Sequence, residues 1–139
     1  MPFKFLEDVT RADVAFEATG KNLSELFTSA GTAVIEAMAD SKTVKPHLTF
    51  VFKKKEGSVK ELLFEFLEEI VFLKDKHAVV FHEVKAVVDE KKLEVKAELR
   101  GDTVKHGEHV LHQDVKAVTM HYYTVEKNKV WKTQVVLDI

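Results

Sequence analysis

Two aspartates raise the question of chemistry in this sequence. Asp13 lies on the polar side of an otherwise apolar alternating stretch, Ala12, Val14, Phe16 and Ala18. Asp138 is the penultimate residue of a final run, Val135, Val136, Leu137, Asp138 and Ile139. A terminal strand normally frays, but four apolar neighbours should pin this one. Pinning would hold the Ile139 carboxylate near that of Asp138. Carboxylates gathered at one spot repel each other unless a cation joins them. An all-oxygen donor set suits Ca²⁺, Mg²⁺ or Mn²⁺ rather than zinc. Spacing alone does not bring Asp13 to Asp138, and two separate solvent-facing carboxylates are the plainer reading of spacing.

Two other groups invite a chemical reading. In Asp114-Val115-Lys116-Ala117-Val118-Thr119-Met120-His121, Lys116 alternates with apolar residues. It can snorkel along them, or offer a cation to a phosphate or a carboxylate cluster. His106, His109 and His112 recur every third residue, with Glu108 and Asp114 nearby. A loop could fold them around an ion, but the spacing fits no zinc pattern, and a solvated polar loop is the simpler expectation. His47, His77 and His82 fall at element edges and read as surface residues.

Much chemistry is excluded. There is no cysteine, hence no disulfide, thiolate nucleophile or thiolate metal site. The only serines, Ser24, Ser29, Ser41 and Ser58, sit in or beside helical segments and none lies in a nucleophile elbow. Phosphate-binding loops and dinucleotide fingerprints are missing. The net charge is −2, and the 21 cations are Lys except Arg11 and Arg100. That balance argues against free-standing nucleic-acid binding by bulk electrostatics. No apolar run approaches the roughly 18 residues a membrane span needs. The first residues carry Glu7, Asp8 and Asp13 and do not read as a signal peptide, so a cytoplasmic protein is expected.

The elements that must position these residues form one domain, 1–139, of 139 residues with ordinary globular composition. Strands are expected over 3–7 and 12–18. Asn22, with Glu25 three residues on, starts a helix reaching about Asp40. A strand follows over 47–54. Ser58-Val59-Lys60-Glu61 is a capping box for a second helix striped by Leu62, Leu63, Phe66, Leu67, Ile70 and Leu73. Phe64 and Val71 widen that stripe, so the second helix should be the better buried. Strands over 79–88 and 93–100 make a hairpin. Gly101 to Leu111 reads as a polar loop, 113–126 as a strand broken near His121, and 130–139 as the last strand after a turn at Asn128-Lys129. The expected class is α+β, a two-layer sandwich of a mainly antiparallel β-sheet with both amphipathic helices packed on one face.

Several segments together resemble the archease family. His109, four residues, then Asp114-Val115-Lys116-Ala117-Val118-Thr119-Met120-His121 follows the family's pattern, with Met120 where the family has an aromatic. Val135-Val136-Leu137-Asp138-Ile139 matches its ending, and Gly20-Lys21-Asn22-Leu23-Ser24-Glu25-Leu26-Phe27 matches an early segment. Asp8-Val9-Thr10-Arg11-Ala12-Asp13-Val14 follows the family's first motif but lacks its His and sets Asp8 one residue farther from Asp13. The resemblance spans essentially the whole chain. It implies an accessory protein, not an enzyme: an activator of the tRNA-splicing RNA ligase that promotes GTP-dependent guanylylation of the ligase's active-site histidine and lets it turn over repeatedly. It implies a divalent-metal site, with calcium among the candidates, at Asp13, Asp138 and Ile139. It also implies a partner-facing group of Lys116, His121, His109 and Asp8, meeting GTP or tRNA ends through the ligase. Two alternatives remain at this point, a chaperone-like modulator of a tRNA methyltransferase or another RNA-processing enzyme, and a small metal-dependent phosphoesterase. The lack of a nucleophile or paired acid and base speaks against the last.

Overall fold

A polar side chain opens each helix in the computed structural model, which describes residues 2–7 and 13–139. Asp8 lies outside the described residues. Asn22 caps α1 (Leu23–Met38), its Oδ1 accepting from Glu25 N at 2.9 Å, while Glu25 Oε2 accepts from Lys21 N at 2.8 Å. Ser58 caps α2 (Val59–His77), its Oγ accepting from Glu61 N at 3.1 Å. Such bonds satisfy N–H groups that a first turn leaves unpaired. α2 runs past Leu73 to His77 and ends where Ala78 turns left-handed at φ 51°, its N–H donating to Lys74 O.

The strands are β1 (Phe3–Leu6), β2 (Val14–Gly20), β3 (Leu48–Lys55), β4 (Val79–Asp89), β5 (Glu94–Thr103), β6 (Ala117–Lys127) and β7 (Trp131–Asp138). Every pairing is antiparallel, and the α+β sandwich holds. The strands form two sheets rather than one, ordered β1-β2-β7-β6 and β3-β5-β4. Helix side chains occupy the edges where the sheets would otherwise continue. Ala86 N and Val88 N on β4 donate to Thr28 Oγ1 at 3.1 Å and to Ser24 Oγ at 2.9 Å, both on α1. On β6, Val118 N donates to Glu68 Oε1 of α2 at 2.9 Å. An edge paired with a helix is closed to a further strand.

The expected order of burial is reversed. In α1, 11 of 16 residues are buried, against 7 of 19 in α2. α1 lies against β2 of one sheet and β4 of the other. Its small residues Ala30, Gly31, Ala33 and Ala37 let both approach. A Cβ at Gly31 would stand 3.1 Å from Val84 Cγ1 and 3.2 Å from Phe66 Cζ. α2 instead leaves Phe72 exposed. The fully buried Phe66 joins α2 to the common core, its ring 5.3 Å from Phe27 and 5.8 Å from Phe52.

Strand boundaries differ from expectation at several points. β5 runs through Gly101 to Thr103, so the loop begins later than expected. Gly101 sits opposite the β-bulge between Phe81 and Glu83, where a Cβ would collide with Val80 O. β2 keeps Gly20 inside the strand. β6 begins at Ala117 rather than 113, because the preceding N–H groups are spent elsewhere. His112 N and Gln113 N donate to Met38 O and Ala37 O, each at 2.9 Å, satisfying carbonyls at the end of α1.

The break expected near His121 is a wide bulge. The β6–β7 register moves from Thr119↔Val136 to Thr124↔Gln134, leaving Met120 to Tyr123 opposite Val135 alone. Tyr122 takes φ 54° there. Side chains replace the lost ladder bonds: Thr119 Oγ1 donates to Val136 O at 3.0 Å and Gln134 Nε2 to Tyr122 O at 3.1 Å. Bulges of this kind re-aim side chains.

Candidate functional site

The antiparallel registers bring the two sequence-distant aspartates to one end of a sheet. Val14 pairs with Leu137 as the last rung of the β2–β7 ladder, so Asp13 and Asp138 are the chain neighbours that flank that rung. Across β7 and β6, Asp138 pairs with Ala117. Lys116 N donates to Asp138 O at 2.8 Å. Asp13, Asp138, Ile139 and Lys116 therefore lie in sequence at the end of the sheet where β2 and β6 begin and β7 ends. Asp138 is exposed, while Ile139 packs against the core. Buried Val135 and Leu137 anchor the strand beneath them.

A cleft of about 420 Å³ opens beside Asp13, lined by Phe5, Glu7, Glu36 and His112 among others. His112 Nδ1 lies 2.7 Å from Glu36 O, a carbonyl of the last turn of α1. The bond requires the proton on Nδ1 and leaves Nε2 free to accept. α1 has no basic residue of its own in that turn, so His112 supplies a donor where the helix dipole is negative.

The three spaced histidines do not converge. His106 is exposed, His112 lies on α1, and the His109 side chain is only 2% exposed. His109 Nδ1 accepts from Lys105 N at 3.1 Å, and its Nε2 points toward Asp102 Oδ2 at 4.0 Å. It stabilises its loop from within rather than lining a surface. Among the described residues no group of three or more His, Asp or Glu side chains is placed to hold a metal ion. His121 is carried outward on the β6 bulge, its ring 4.1 Å from that of Tyr122. His82 is not a plain surface residue: its Nδ1 faces Val44 O at 2.7 Å and Ser41 O at 3.1 Å.

Sequence reasoning passed over several charged residues that the fold engages. Lys74, in the last turn of α2, reaches Asp114 Oδ1 at 2.9 Å, Asp75 Oδ1 at 2.8 Å and Val115 O at 2.6 Å. Burial opposes its charge, but the two carboxylates outweigh that and raise its pKa. In return the Lys74 hydrogen bond holds Asp114 below the usual carboxylate range. Burial pushes Glu68 up, although the Val118 N–H favours its carboxylate. Asp102 is buried, which works to raise its pKa. The Lys105 ammonium, the Thr103 N–H and His47 outweigh burial and hold it low. Nothing in helical periodicity marks Lys74, because Asp114 and Val115 lie some 40 residues further along the chain.

The depressed pKa of Asp114 carries a pH dependence. A carboxylate whose folded pKa lies below its unfolded value stabilises the fold above that value, and the gain disappears as pH falls through the folded pKa. Urea midpoints measured downward from pH 5 should therefore fall more steeply below about 3.8 in the wild type than in Asp114→Asn. Equal slopes would show that the Lys74–Asp114 contact contributes nothing in solution.

The chain has relatives over its whole length. The family model described as the archease protein family matches residues 3–139. The chain belongs to the archease family. The archease of Methanothermobacter thermautotrophicus is 32% identical over 140 residues, covering 99% of this chain and 98% of that one. The archease of Methanopyrus kandleri is 30% identical over 142 residues, with both chains covered completely. The solution structure of Methanobacterium thermoautotrophicum protein 1598 superposes with a TM-score of 0.84 at 29% identity, covering 99% of each chain. The archease fold thus extends over both sheets and both helices. Among the described residues, no helix is long and apolar enough to cross a membrane.

Proposed function

We propose that this archease is an accessory protein of the tRNA-splicing RNA ligase, promoting guanylylation of the ligase's active-site histidine by GTP and so its repeated turnover. The observation that supports the reading is the register that runs the Asp13 and Asp138 segments to one sheet end, where Lys116 N donates to Asp138 O. These are the residues through which the family resemblance implies activation. The chain's own chemistry is that of a helper. It offers carboxylates, a cation and no activated nucleophile, so it can place charge beside a partner's reacting groups without forming a bond itself.

The donor set fits a hard divalent cation. Asp13 and Asp138, beside the last β2–β7 rung, would supply side-chain carboxylates, and the family resemblance implies Ile139 as the third ligand. There is no soft ligand, which favours Ca²⁺, Mg²⁺ or Mn²⁺. Such an ion, when bound, supplies positive charge to the carboxylates and to phosphate oxygens. Lys116, its backbone fixed by Asp138 O, provides a further cation for phosphate. His121 and the β6 bulge give the same end an exposed polar and aromatic surface for the ligase.

Labelled GTP tests this reading. The cognate ligase, incubated with metal and GTP, should acquire label many times faster when this protein is added at substoichiometric amounts. Equal labelling with and without it, using an active ligase, would overturn the reading.

A further inference from the structure

One peptide group beside the candidate site is held from both sides. The carbonyl of the Val115–Lys116 peptide accepts from Lys74 Nζ at 2.6 Å. The N–H of the same peptide, on Lys116, donates to Asp138 O at 2.8 Å. The orientation of this plane sets ψ of Val115 and φ of Lys116, and thereby the direction in which the Lys116 side chain leaves the backbone.

Few other constraints act at that point. Residues 112–116 belong to no strand. Their upstream end is tied to the end of α1 through His112 and Gln113. Val115 buries its side chain completely, and Ala117 enters the ladder opposite Asp138. Between these ties, the carbonyl side of the peptide is held by Lys74. Its side chain is only 10% exposed, and an ammonium has three protons to give. It meets three acceptors, Val115 O, Asp114 Oδ1 and Asp75 Oδ1. The two carboxylates keep the ammonium charged and in place, and the third bond falls on the strap.

We propose that Lys74 is a positioning residue for Lys116, aligning it with the Asp13–Asp138 end by clamping the Val115–Lys116 peptide. The proposal rests on the reading that Lys116 serves the ligase. A cation on a loosened strap would sample many directions, and charge stabilisation depends on a donor already in place. Asp75 and Asp114 act one step further out, as holders of the ammonium.

Lys74→Met keeps the aliphatic stem and removes the three donors. Two measurements on the full chain test the proposal. The first needs no ligase: amide hydrogen exchange at Lys116, followed by NMR. It should quicken by about tenfold or more in Lys74→Met, the expected consequence of losing a charged hydrogen bond. Val135 and Leu137 in the β7 core should keep their protection. The second is ligase guanylylation at saturating protein. Lys74→Met should lower the rate about tenfold, while Asp114→Asn, which leaves the bond to Val115 O, should stay within about threefold of wild type. In a Lys116→Ala background, adding Lys74→Met should cost no more than about twofold, because residues acting as one unit are not additive. Unchanged exchange at Lys116, or full multiplication of the two losses, would overturn the positioning role alone. Full activity of Lys116→Ala would overturn the part given to Lys116 and the proposal with it. Faster exchange in Lys74→Met would then still record the clamp as a structural feature.

Discussion

Replacing Asp138 by Asn should remove activation of the ligase while leaving the fold intact. The amide has the shape of the carboxylate but not its charge. The backbone bonds of residue 138, including the one its carbonyl accepts from Lys116 N, do not involve the side chain. The side chain is exposed, so its replacement should change stability by no more than about 0.5 kcal/mol. The direction of that change is informative. Asp13 and Asp138 flank the last rung of β2 and β7, where neighbouring like charges oppose pairing. The neutral amide relieves that repulsion, so in the presence of a chelator the variant should be as stable as the wild type or slightly more so. With excess Ca²⁺ or Mg²⁺ the order should reverse, because an ion that binds only the folded state stabilises it in proportion to its affinity. Guanylylation should fall on the order of 100-fold, equivalent to about 2.7 kcal/mol at the assisted step. A variant that folds, melts like the wild type with metal and activates fully would contradict the role assigned to this carboxylate.

Phe66→Ala should be the most damaging single change in the core. Phe66 is fully buried, and its ring contacts Phe27 of α1 and Phe52 of β3. It also faces Gly31, whose missing Cβ leaves the space that the ring occupies. Truncation removes the contact surface among α1, α2 and the three-stranded sheet and leaves a cavity that the surrounding elements cannot close. Phe→Ala changes of this kind cost about 3–5 kcal/mol. Domain stabilities run only to about 5–15 kcal/mol, so this is a large fraction of the total. For a chain of this length the melting temperature should fall by roughly 10–20 °C. Thermal unfolding followed by circular dichroism checks it. A drop under about 3 °C would mean that the two helices and the three-stranded sheet do not share one core.

The helix starts were legible because capping is local. Asn22 and Ser58 each meet a partner three residues away, so spacing along the chain is spacing in space. The same holds for the hairpin of β4 and β5 and for the turn at Asn128, whose N–H donates to Val130 O at 3.0 Å. Burial was misjudged because a helix's apolar stripe reports how much surface it can hide, not how many layers meet it. Phe64 and Val71 widen the stripe of α2, yet the small side chains of α1 are what let β2 and β4 close on it from two sides. The division into two sheets was hidden for a related reason. It depends on Thr28, Ser24 and Glu68 bonding to strand edges from distant helices, and hydroxyl or carboxylate residues on a helix read as solvent-facing.

At the candidate site the sequence named the aspartates but could not bring them together. Alternation gives each strand a face and says nothing about register. The pairings Val14↔Leu137 and Ala117↔Asp138 are what place Asp13, Lys116 and Asp138 at one end. Residues 113–116 alternate soundly enough to read as strand. Their N–H groups and carbonyls instead go to α1, Lys74 and Asp138. His109 was read as partner-facing from its place in a motif, whereas its ring is turned inward onto Lys105 N and toward Asp102.

Counting ligation events per ligase molecule tests the central claim most directly. RNA ends, GTP and metal are supplied in excess, and joined product is measured against the amount of ligase. With a catalytic amount of this protein, product should rise well beyond one joined RNA per ligase. With Asp138→Asn, or with no added protein, it should stop near one. Equal product counts for the wild type, the variant and the ligase alone would contradict the claim that the Asp13–Asp138 end of this protein renews the ligase.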